Sequence, residues 1–135
     1  MARLRGTIAV IVLIIASTPS FANETAIETI AYEASGEDLL GQVAVACVIR
    51  NRAEKQNKTI EQICKAPYQF SCWNPKTKLN KRTKLEIEKA RLAWQLSESF
   101  LFSATHYHAL NCNPYWSKSL TYLCTIGNHK FYQQS

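Results

Sequence analysis

Glycine is scarce in this chain, with four in 135 residues. So little of it leaves no flexible glycine linker and no Gly-rich loop to cradle a phosphate. The five cysteines include no Cys-x-x-Cys pair, so the usual zinc-site spacing is missing. No Gly-x-Ser-x-Gly stands anywhere, which excludes the nucleophile elbow of a serine hydrolase. No apolar run reaches the roughly 20 residues that a comfortable membrane span needs. Internal repeats and low-complexity stretches are also absent. The length suits one domain and not two.

What is present begins with a three-part amino-terminal pattern. Arg3 and Arg5 precede an apolar core from Ile8 to Ala16, and the small residues Ser20 and Ala22 flank Phe21. This is the form of a secretory signal, with cleavage expected after Ala22. Residues 1–22 are therefore read as the signal and 23–135 as one exported domain, periplasmic or extracellular, with no stable membrane anchor once the signal is gone. Removing Arg3 and Arg5 lowers the formal charge from +6 to +4. That balance suits an anionic partner. The basic residues cluster mainly between Lys76 and Lys84, without the interleaved aromatics of a nucleic-acid surface.

An exported chain favours disulfides. Cys64–Cys72 and Cys112–Cys124 each flank a short irregular segment, where a bridge limits the unfolded chain, and they are the expected pairs. Cys47 falls on an apolar helical stripe and is expected to be buried and free.

Helical spacing of Ile27, Ile30 and Ala31 predicts a helix over 25–34. Ser35-Gly36 breaks it, with Gly36 where a left-handed cap is usual and Ser35-x-x-Asp38 opening the next helix. Leu40, Val43, Ala44, Cys47 and Val48 give that second helix its apolar face, to about Glu54. Residues 55–82 read as an irregular loop around Pro67, Pro75, Tyr68, Phe70 and Trp73, and a loop this long is usually functional or stapled. A third helix is expected over 83–103, with Leu85, Ala90, Ala93, Trp94, Leu96, Phe100 and Leu101 on its apolar face. Two strands, 104–110 and 125–132, then form a hairpin. The expected class is α+β, three main helices followed by a small antiparallel hairpin.

Glu33 stands at the end of the first helix, where the macrodipole disfavours a negative charge. Such a placement is either incidental or chemical. His106 and His108 share a strand face and, with His129, could hold a metal. The alternative is ordinary buried and exposed histidines, so no metal site is assigned. The aromatics Trp73, Tyr107, Trp116, Phe131 and Tyr132 suit a core as well as a ligand.

Taken together, four ordered segments say more. They are Tyr32-Glu33-Ala34-Ser35-Gly36-Glu37 with Gly41-Gln42 and Asn51-Arg52; Gln69-Phe70-Ser71-Cys72-Trp73; Ala104-Thr105-His106-Tyr107-His108-Ala109 with Pro114 and Trp116; and Ile126-Gly127-Asn128-His129-Lys130-Phe131-Tyr132. In order and spacing they resemble the cell wall hydrolase family that includes the spore-cortex-lytic enzymes. The resemblance implies a lysozyme-like fold that cuts the glycan strand of peptidoglycan, as a lytic transglycosylase. It implies Glu33 as the general acid/base, with Tyr32, Glu37, Gln69, Trp73, His106, Tyr107, His108 and Trp116 around the substrate. No cofactor is implied, nor any nucleic-acid partner, and the protein is expected to be a monomer. A glycosidase normally uses two carboxylates. A lytic transglycosylase needs one that is protonated near neutrality, a state that burial against aromatics favours. A hydrolytic muramidase using Glu33 with Glu37, a metal-dependent amidase using the three histidines, and a non-catalytic wall-binding module are the other readings the residues admit.

Overall fold

The computed structural model describes residues 23–135. The segment expected to be the secretory signal lies outside the described residues. Among the described residues four α-helices come first: α1 (Glu24–Glu33), α2 (Leu39–Gln56), α3 (Ile60–Lys65) and α4 (Lys84–Ser97). Three strands follow: β1 (His106–Ala109), β2 (Thr121–Ile126) and β3 (His129–Gln133). They form one antiparallel sheet in the order β1-β3-β2, with His106 opposite Tyr132 and Ile126 opposite His129. The α+β class is the expected one.

Helix α2 is the central rod. It is buried on every side from Gly41 to Ile49, rather than along a single stripe, and Leu40 is left exposed. Both α1 and α2 pack on α4. Ile30, Val45, Val48, Ile49, Trp94 and, from the sheet, Phe131 meet in one core. Cys47 is buried as expected, its Sγ 3.8 Å from the Phe100 carbonyl, and burial pushes its thiol up to about 11.

Several local expectations need correction. Gly36 does not adopt a left-handed conformation; α1 ends when the Ala34 amide donates to the Ile30 carbonyl. The cap of α2 is Asp38, not Ser35, and its carboxylate accepts from the Gly41 amide at 3.1 Å. The supposed 55–82 loop contains α3, opened by a reciprocal capping box between Thr59 and Gln62. Helix α4 stops at Ser97, so Leu101 lies beyond it and is exposed, and Leu85, in its first turn, is exposed as well. The expected second strand is two strands and a turn, because Gly127 has φ +56 and reverses the chain at Gly127-Asn128. All five cysteines are free thiols in the structure, so neither expected bridge is formed in it.

Two side chains of α2 tie the helices to the sheet. Asn51 Nδ2 donates to the carbonyls of Phe102 and Ala104, at 2.7 and 2.8 Å. Arg52 Nε donates to the Thr105 carbonyl and its Nη1 to Gln69 Oε1, at 2.5 and 3.2 Å. These bonds fix where β1 starts and hold the residue-69 loop beside it.

Candidate active site

Glu33 is the last residue of α1, and its side chain projects beyond the helix into a cleft of about 670 Å³. The opposite wall is the segment from Lys65 to Pro75, including Tyr68, Gln69, Phe70, Ser71, Trp73 and Asn74. A 3-10 turn, Ser71–Trp73, presents two donors to one carboxylate oxygen. Glu33 Oε1 accepts from the Ser71 hydroxyl and from the Cys72 amide, each at 3.2 Å. Glu33 Oε2 has no hydrogen-bond partner among the described residues. The carboxylate is thus aimed by one oxygen and has the other available. Among the described residues Glu33 is also the only acidic one lining this cleft.

The turn itself is anchored from below. Trp73 Nε1 donates to Thr29 Oγ1 at 2.8 Å, and that hydroxyl donates to the Thr25 carbonyl at 2.6 Å. The Cys72 thiol is pushed up to about 12, first by burial and then by the Glu33 charge beside it. Burial and the same charge raise the Tyr107 phenol. Tyr68 stands fully exposed on the cleft wall with φ +62, a left-handed conformation that is uncommon for an aromatic residue.

Glu37 has a different place. It is 6 % exposed and does not line the cleft. Its carboxylate accepts from the Asn128 amide, at 3.1 and 3.3 Å to its two oxygens. His129 Nδ1 lies 3.3 Å from Oε1 without hydrogen-bond alignment. A Cβ on Gly127 would stand 2.0 Å from Glu37 Oε2, so the turn approaches this carboxylate as only glycine permits. Lys89 donates to the Glu37 carbonyl at 2.6 Å, and Gln42 Nε2 to the Ala34 carbonyl at 3.0 Å. The chain just after Glu33 is therefore clamped by α2, α4 and the β2–β3 turn.

Chain 36–132 matches the Cell Wall Hydrolase family over most of its length. The chain belongs to the cell wall hydrolase family. Its matched span begins three residues after Glu33. No curated protein gives a significant sequence match. Two solved structures share the fold. One is the catalytic domain of the germination-specific lytic transglycosylase SleB from Bacillus anthracis, with TM-score 0.70 and 21 % identity, covering 87 % of this chain and 98 % of that one. The other is the catalytic domain of the Bacillus cereus SleB protein, with TM-score 0.63 and 22 % identity, covering 87 % of this chain and 94 % of that one.

Of the site residues expected from the sequence of this family member, Gln69 and Trp73 stand with Glu33 on the cleft. Tyr32 is not part of the cleft lining and carries the Arg82 guanidinium 5.1 Å from its ring centre. Tyr107 packs with His129 and Phe131 on the core side of the sheet. His106, His108 and Trp116 are not brought to the cleft lining. They form an aromatic layer with Tyr132 on the other sheet face, where His108 Nε2 meets the Tyr132 hydroxyl at 2.9 Å. His129 is consequently separated from the other two, and no metal-binding group of three His, Cys, Asp or Glu occurs among the described residues. Sequence reasoning missed Ser71 and Cys72 as holders of Glu33, although both lie in a quoted motif. Tyr68 gave no signal beyond being aromatic in a long loop.

Proposed function

We propose that the protein cleaves the glycan strand of peptidoglycan as a lytic transglycosylase, with Glu33 as its single acid/base. The observation that carries this reading is that, among the described residues, one carboxylate and no second lines the cleft. Glu37, the nearest alternative in sequence, is buried and engaged by the Asn128 amide. Hydrolytic retention or inversion normally uses two carboxyl groups flanking the bond. The non-hydrolytic route uses one twice. Protonated Glu33 gives its proton to the glycosidic oxygen as the bond from that oxygen to the muramic anomeric carbon breaks. The resulting carboxylate then takes the proton of the muramic 6-hydroxyl, whose oxygen bonds to the anomeric carbon and closes an anhydro ring. Glu33 ends protonated, and no water is consumed.

The Ser71 hydroxyl and the Cys72 amide orient Glu33 through the cycle. Gln69, Tyr68 and Trp73 are the neighbours placed to hold sugar rings. The likeness of fold to the Bacillus anthracis lytic transglycosylase domain supports the same reaction class. Such a substrate lies outside the cytoplasmic membrane, so the reading requires export, which the pattern of residues 1–22 supports. No helix among the described residues is long and apolar enough to cross a membrane. The test is mass analysis of the fragments released from purified sacculi. Anhydro-muramic ends are expected; reducing ends, heavier by one water, would assign a hydrolase instead.

A further inference from the structure

Residues 76–84 hold five cations, Lys76, Lys78, Lys81, Arg82 and Lys84, and no acid. Arg82 pairs with Glu86 of the helix that follows, at 3.6 Å, but Lys84 sits in that helix's first turn, where the macrodipole favours a negative group. Among the described residues Lys76, Lys78 and Lys81 make no ion pair, and all three are exposed. Like charges at this density repel one another unless an anion is present.

The near end of the segment adjoins the cleft, and the far end packs on the helix that carries Glu33. Asn74 and Pro75, which lead into it, line the cleft with Glu33. Arg82, near its far end, lies over the ring of Tyr32, the neighbour of Glu33. The backbone between is held at its start by the Thr77 amide donating to the Asn74 carbonyl at 2.9 Å. Lys76 follows Pro75 directly, so the three free ammonium groups begin where the cleft lining ends. The substituents of the glycan strand are peptide stems, which end in carboxylates.

We propose that Lys76, Lys78 and Lys81 form a recognition strap for the carboxylates of peptide stems on the glycan strand being cut. The proposal rests on the cleavage reading above, and it assigns the enzyme a preference for stems that carry free carboxylates. Exposed ion pairs contribute a factor of about two to five each and weaken with salt. Three together predict about a tenfold effect on binding.

The experiment uses the Glu33→Gln protein, so that sacculi are bound and not consumed. Its co-sedimentation is measured with native sacculi and with sacculi whose carboxylates have been converted to carboxamides by carbodiimide and ammonia. Binding to the amidated sacculi is expected to be about tenfold weaker at low salt. Adding Lys76→Gln, Lys78→Gln and Lys81→Gln should weaken native binding to the same level and abolish the difference. The corresponding triple Lys→Arg variant should retain the difference, which shows that charge and not local folding is read. Equal binding of the parent to both sacculi overturns the proposal, as does a Gln triple that still discriminates. Loss of native binding on adding polyglycerol phosphate, with amidated sacculi bound equally well, would assign the strap to wall phosphate and also overturn it. Wild-type protein that discriminates between the sacculi but releases no fragments would sink the cleavage reading alone.

Discussion

Four side chains show how residue environment decides behaviour. Cys47, Cys64 and Cys72 have thiols raised by burial, Cys47 to about 11 and Cys72 to about 12. Cys112 is exposed. In reduced folded protein, an alkylating reagent at about pH 8 should modify Cys112 first and leave Cys47 and Cys64 unmodified until denaturant is added, since thiolate character and access govern the rate. Peptide mapping reads the order; early modification of Cys47 would contradict the packing of α2. The histidines set a pH dependence. Burial lowers the pKa of His106, helped by Arg52 and Lys55, and lowers that of His129 against the opposing charges of Glu37 and Glu33. Below about pH 6.5 the unfolded chain binds protons that the folded chain refuses, so stability falls as pH drops through that value. Thermal melts from about pH 7.5 to 5.5 should show the fall, and His106→Gln should flatten it; an unchanged slope would contradict the assignment. At this scale the position of Glu33 was legible in the sequence, because the Ser35-Gly36 break and the surrounding motif mark the helix end. Its partners were not, because Ser71 is 38 residues away and only the fold brings it near.

Among the elements, the helices were more legible than the sheet. Apolar periodicity located α1, α2 and α4 to within a few residues at most ends. The far end of α4 was misplaced because apolar residues continue past Ser97, yet Leu101 points to solvent and Asn51 draws Phe102 and Ala104 across to α2. Helix α3 was passed over because it is a six-residue piece with no room for periodicity; its one sign is the Thr59-x-x-Gln62 capping box. Thr59→Ala should cost about 1 kcal/mol, read as a shift in denaturant midpoint. The hairpin was misread because strand propensity runs through 121–133 and one glycine carries the turn. That glycine is exacting. Gly127→Ala places a methyl group 2.0 Å from Glu37 Oε2 at a φ of +56. It should destabilise the fold by about 2–4 kcal/mol, whereas Gly36→Ala, with nothing within 4 Å of the added carbon, should cost little. Equal stability of the two variants would mean that the Glu37 clamp does not form.

Across the whole molecule the motifs of the family divide into two sets. Gly41, Gln42, Asn51, Arg52 and Gly127 are clamps. They fix the segment after Glu33 and the sheet around α2. Gln69, Ser71, Trp73 and Glu33 itself face the cleft or aim what faces it. The sequence pattern could point to a wall-cleaving enzyme without separating these sets, since a clamp and a catalytic group are equally fixed in a motif. The separation matters most for the two glutamates, one on the cleft and one locked beneath the β2–β3 turn. The most direct test is turnover of purified sacculi by Glu33→Gln beside wild type, with thermal melts of both. Glutamine keeps an oxygen to accept from Ser71 and Cys72 but has no transferable proton. Turnover should fall by about 10⁴-fold, at the top of the range for general acid–base catalysis, because the proposed route uses the same group as acid and base. Stability should stay within about 0.5 kcal/mol of wild type. A folded Glu33→Gln protein that keeps more than about a tenth of wild-type turnover would contradict the assignment of the acid.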